Sequence, residues 1–190
     1  MDARKREAEM QITIDTLSNL ELNLYNYADS LDGDMDSRDK QLQEKGIFDQ
    51  YRNLYQSYLD LFFDTKDEEI QLEILKRLIF LNWYALVEPS CYTGIQDLDN
   101  AAIFESYSIL NEYLINNKTD KEFTWMLSYY SSWDFTILPF SELNLNALTK
   151  FVREADTTVL ACPKKQLPKG SMHNRGQMGI YWISCSVEED

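Results

Sequence analysis

The sequence predicts a mainly α protein, a single bundle of about six helices or a set of stacked helical hairpins, with a small C-terminal β-hairpin or irregular appendage. Three observations carry this. A helix-length stretch, 65–89, turns apolar on nearly every side. Helical stripes flank it in the chain. After Thr157 the composition changes: no acid occurs before Val187, while Lys164, Lys165, Lys169 and Arg175 do.

The central stretch is TKDEEIQLEILKRLIFLNWYALVEP. Glu73, Lys76 and Arg77 mark one wet face over its first turns, and from Leu78 to Val87 only Asn82 is plainly hydrophilic. Such a helix is covered by neighbours on all sides. Thr65 and Glu68 have capping-box spacing, and Pro89 forbids continuation. Leu78, Ile79, Leu81, Trp83 and Leu86 are the predicted core residues of this helix.

Upstream, residues 1–9 are charged and predicted to fray. Met10, Ile14, Leu17, Leu20, Leu24, Tyr27 and Leu31 recur every three or four residues, which is helical spacing. The Asp-rich stretch 29–40 reads as punctuation. Ile47, Tyr51, Leu54, Tyr58, Leu59 and Phe62 form the next stripe, and the short link after Asp64 makes that helix an antiparallel neighbour of the central one.

Downstream, a helix is predicted from about Asp97 to Asn116. Another opens at Thr119 and Glu122, again at capping-box spacing, and runs through Phe123, Met126, Tyr130 and Trp133. Ser141 is a plausible cap for the next. LNWY at 81–84 and LSYY at 127–130 echo one another 46 positions apart, the sole hint of stacked hairpins. The expected division is an acidic helical domain, 1–156, and an appendage, 157–190. Within the appendage TTVLAC and GIYWISCSV are β-branched and aromatic enough to pair around a basic loop.

The chain carries a net charge of −14; residues 1–156, with 14 basic and 29 acidic residues, account for −15. That field repels nucleic acid and anionic membranes and attracts basic proteins. Lys164, Lys165, Lys169 and Arg175 beside Tyr181 and Trp182 are the one feature that would suit a nucleic acid, and they fit as well against the protein's own acids. No apolar run approaches the length of about 18 residues that suggests a membrane span. Cys91, Cys162 and Cys185 form no CxxC pair and no disulfide framework, and no secretory segment follows Met1, so the expected setting is the reducing cytoplasm.

Candidate chemistry is sparse. Asp32, Asp34 and Asp36 have the first three spacings of a calcium loop, but Ser37 stands where glycine is required and Gln43 where a bidentate carboxylate is. His173 is the single histidine, so neither a zinc site nor a local Cys–His pair follows; Cys162 and Cys185 have apolar neighbours and read as buried thiols. Glu88, Glu105 and Glu112 carry no distinguishing motif. No metal site and no cofactor is expected. The two loops WYALVEPSCYTGI and SYYSSWDFTILPF are richer in aromatics than loops need to be; they either plug the ends of the bundle or, emerging at one end, form an aromatic surface with acid around it. They nominate Glu88, Tyr92, Trp133, Asp134 and Phe135 as partner-binding residues. The expected function is a protein-binding module, an acidic inhibitor that caps a basic partner as immunity proteins cap toxin nucleases. The alternative is an enzyme using carboxylates in a bundle pocket.

Overall fold

The structure is a computed structural model, and it describes residues 13–156, 158 and 170–185. Among these residues there are ten α-helices and no strand. They are α1 (Ile14–Asp29), α2 (Met35–Glu44), α3 (Ile47–Asp64), α4 (Glu68–Val87), α5 (Ser90–Thr93), α6 (Asn100–Ile115), α7 (Lys121–Tyr130), α8 (Leu138–Ser141), α9 (Asn146–Glu154) and α10 (Gly176–Cys185). A 3-10 segment, Ser131–Thr136, joins α7 to α8.

The prediction of a central helix holds. Every residue of α4 from Ile74 to Trp83 is buried, and α3, α5, α6, α10 and the 3-10 segment all pack on it. Leu78, Ile79, Leu81 and Trp83 are core as expected, but Leu86 is 50% exposed, although Tyr84, Ala85 and Val87 of the same last turn still pack against the core. The supposed wet face is also corrected. Lys76 and Arg77 are only 5% and 3% exposed, and carboxylates from α4 and from outside it cover them.

The helix count exceeds six for local reasons. The Asp-rich stretch does not stay irregular: Asp34 accepts a hydrogen bond from the Ser37 amide (2.9 Å) and so starts α2. Gly46, in the left-handed region, separates α2 from α3. The starts of α4 and α7 are shifted from the two threonines. Asp67 accepts from the Glu69 and Ile70 amides, and Asp120 accepts from the Phe123 amide. A carboxylate also complements the helix dipole, so it takes the cap from a neighbouring hydroxyl. Ser141 ends α8 rather than capping α9. The first amides of α9, at Ala147 and Leu148, donate instead to Asn111 Oδ1 of α6 (3.0 and 3.1 Å).

The β-hairpin is the largest correction. GIYWISCSV contributes its described residues to α10, which packs on α1 and α4. TTVLAC lies outside the described residues but for Thr158. Arg175, just before α10, is inserted between two acids: its Nε and Nη2 donate to Glu73 (2.9 and 2.5 Å), and Nη2 also donates to Glu122 (2.8 Å). Glu122 and Asp120 in turn hold Lys76. Of the basic stretch, Arg175 thus lies against the protein's own acids, while Lys164, Lys165 and Lys169 fall outside the described residues.

At the other face of α10, Glu21 of α1 accepts from the Gln177 amide (2.5 Å) and from the Tyr58 hydroxyl (2.7 Å). A buried carboxylate thereby caps a helix 156 residues away. Gly176 permits it: its φ of +58° is left-handed, and a Cβ there would collide with the Glu21 carboxyl.

Candidate partner-binding surface

The C-terminal end of α4 gathers rings from three parts of the chain. Trp83 is buried at the centre. Tyr84 from α4, Tyr129 from α7, Trp133 from the 3-10 segment and Tyr181 from α10 surround it, each half-buried. Their centroids lie 5.1–5.9 Å from that of Trp83, within the range of favourable ring contacts. The Tyr129 and Tyr181 hydroxyls share a hydrogen bond of 2.7 Å.

Local backbone explains the placement of Trp133. Its φ and ψ (−112°, 63°) leave the helical region, so α7 cannot continue and the chain turns across α4. Thr136 donates to the Trp133 carbonyl (2.8 Å), and Tyr107 donates to the Thr136 carbonyl (3.0 Å). The loop is held from both sides. Phe135, two positions after Trp133, projects into solvent at 55% exposure.

Two acids flank the rings. Asp134 is exposed beside Trp133. Glu88 follows the last turn of α4, near enough for its charge to raise the hydroxyls of Tyr84 and Tyr129 further above their ordinary range, burial being the first cause for both. Among the described residues no cation stacks on Tyr84, Tyr129, Trp133, Tyr181 or Phe135; the three cation–ring contacts belong to Tyr92, Tyr58 and Tyr113.

The sequence-nominated residues therefore divide. Trp133 packs on Trp83, Asp134 and Phe135 follow it in the chain, and Glu88 lies near Tyr84 and Tyr129, while Tyr92 goes elsewhere. It sits on α5, exposed, with the Arg38 guanidinium of α2 4.8 Å from its ring centre. Arg38 also donates to the carbonyls of Ala28, Leu31 and Cys91, which fastens α2 and α5 to the end of α1. For this surface the sequence did not single out Tyr84, Tyr129 or Tyr181, the rings that pack on Trp83. The echo of LNWY and LSYY carried a signal for two of them, since the copies meet in space: Trp83 stacks on Tyr130 at 4.9 Å and touches Tyr129.

The catalytic alternatives look different in three dimensions. Glu105 and Glu112 lie exposed on α6. Burial pushes the Glu21 carboxyl above its ordinary range, against the opposing influence of Arg77, Tyr58 and the Gln177 amide. It is 0% exposed, with a hydrogen-bond donor on each oxygen: the Tyr58 hydroxyl on one and the Gln177 amide on the other. Cys91 is buried, Cys185 is half-exposed rather than buried, and Cys162 lies outside the described residues. His173 is exposed in the turn before α10.

No protein-family model matches the chain, and neither any curated protein nor any solved structure matches it significantly.

Proposed function

We propose that the protein is a binding module for a basic partner protein, engaged through the acid-flanked aromatic surface at the end of α4. The observation that carries this reading is the set of half-exposed rings with Glu88 and Asp134 beside them and no described cation over any ring. Arg and Lys side chains are the natural complement of such a surface, through cation–π and charge contacts. An acidic inhibitor of the immunity type is the concrete form. The cytoplasm is its proposed setting, with Cys91 and Cys185 as free thiols. Nucleic acid is expected to be repelled by the field of the helical body.

Native-host proteins retained by the wild-type chain and by Phe135→Ala and Glu88→Gln variants, compared by mass spectrometry, test it. A basic protein held by the wild type and lost from both folded variants is expected. Charge acts on encounter and rings act on residence. Association should therefore slow between about 0.05 and about 0.5 M salt, as the screening length falls from about 14 to about 4 Å. Phe135→Ala should mainly speed dissociation. Tight, salt-sensitive binding of RNA or DNA, abolished by Ala at Lys164, Lys165 and Lys169, would reverse the assignment.

A further inference from the structure

A groove of about 540 Å³ opens where the start of α1, the end of α3 and the start of α4 meet. Ile14, Leu61 and Ile70 give it apolar walls, Asp15, Asp60 and Asp64 give it carboxylates, and among the described residues no Lys, Arg or His lines it. Among the described residues, none of these three acids has an ion-pair partner. Asp60 accepts only from Gln56 Nε2 (2.8 Å), its neighbour one turn back on α3. The volume is that of a ligand site rather than of a packing defect. Apolar walls beside unpaired carboxylates, on a body of net negative charge, complement an apolar side chain flanked by cations and little else.

We propose that this groove docks a cationic amphipathic segment of a partner protein. Its Lys or Arg side chains meet Asp15, Asp60 and Asp64, and an apolar side chain between them enters against Ile14, Leu61 and Ile70. The proposal rests on the reading that the partner is basic, but it concerns the opposite end of α4, a helix of 20 residues and so about 30 Å long. The two surfaces can therefore fail separately.

The probe is a fluorescein-labelled synthetic peptide, Lys-Leu-Leu-Lys-Lys, titrated into the full chain and read by anisotropy. Its Glu-Leu-Leu-Glu-Glu counterpart is the control. Asp60→Asn with Asp64→Asn should weaken binding about tenfold, and Leu61→Ala should weaken it without any change of charge. Asp32→Asn with Asp36→Asn removes the same charge from the α1–α2 loop and the first turn of α2 and should change little, as should Phe135→Ala. Equal losses from the two Asn pairs would show attraction to net charge alone and overturn the proposal. So would a loss caused by Phe135→Ala, which places the peptide on the aromatic surface. A third result would also overturn it: peptide binding that rises about tenfold when Arg4, Lys5 and Arg6 are changed to Gln but not when the exposed Lys40, Lys45 and Lys150 are, since the chain's own N-terminal cations would then be the occupant.

Discussion

At Gly176 a backbone constraint and a side-chain constraint coincide, and Gly46 separates them. Both have left-handed φ, +58° and +65°, but a Cβ at Gly46 meets nothing within 4 Å, whereas one at Gly176 meets the Glu21 carboxyl. Gly46→Ala should cost about 1–2 kcal/mol of backbone strain. Gly176→Ala should cost clearly more in urea unfolding, because Glu21 must also leave the Gln177 amide. The charges nearby titrate in opposite senses. Burial raises Glu21, so its ionisation removes stability as pH rises from the ordinary carboxylate range through the folded-state pKa. Glu122 is also partly buried, but hydrogen bonds from Arg175 and Lys76 outweigh burial and hold it below the ordinary range. Its contribution is complete above that range and is lost as pH falls through the folded-state pKa. Relative to wild type, Glu21→Gln should gain stability as pH rises above the ordinary carboxylate range, and Glu122→Gln should flatten the acid limb. Urea midpoints against pH with reversed slopes would contradict both assignments. Glu21 was legible in principle: it occupies the inward register of α1 with Leu17, Leu24 and Ala28, where an acid must have a buried partner. The identity of that partner, a backbone amide from the far end of the chain, was not.

Among the elements, α4 was the most legible, because ten consecutive buried positions leave a pattern that only a covered helix shows. Leu78→Ala should destabilise by about 2–5 kcal/mol. The stripe of α3 was equally plain. What the sequence concealed was every contact in which one element completes another. Asn111 caps α9 from across α6, and Asn111→Ala should cost about 1 kcal/mol and speed amide exchange in the first turn of α9. The local composition of α10 suits a strand. It is a helix because Glu21 supplies its cap and because Trp182 packs on Trp125 at 4.3 Å while donating to the Tyr130 hydroxyl (3.1 Å). Lys76 and Arg77 misled for a related reason: Glu73 is local to Arg77, but nothing local reveals that Asp120 and Glu122 cover Lys76. Arg175→Met leaves Glu73 and Glu122 short of a cation. Both acids retain some contact with water, so the expected cost is about 2–3 kcal/mol, below the loss for a fully buried pair. Exchange should accelerate in α10 before the rest of the chain unfolds.

At the scale of the molecule, the charges fall into two groups. Lys76, Arg77 and Arg175 pair with Glu73, Asp120 and Glu122 in ion pairs partly shielded from bulk salt, and the net charge of −14 is carried by the rest of the chain. Salt should accordingly affect encounter with a basic partner more strongly than it affects stability, a contrast that stopped-flow association and thermal melts in one salt series would measure. The aromatic end of α4 was half legible. Loop composition located Glu88, Trp133, Asp134 and Phe135, but Tyr92 is drawn away by Arg38, and Tyr181 arrives on a helix the sequence did not announce.

The bond from Glu21 to Gln177 also sets an order of events during synthesis. A ribosome adding about 5–20 residues per second delivers the Gln177 amide about 8–30 s after Glu21. Until then the carboxylate lacks its main-chain donor, and sealing it from water would be costly. The Glu21 flank of α1 therefore stays wet until α10, the last helix among the described residues, has been made.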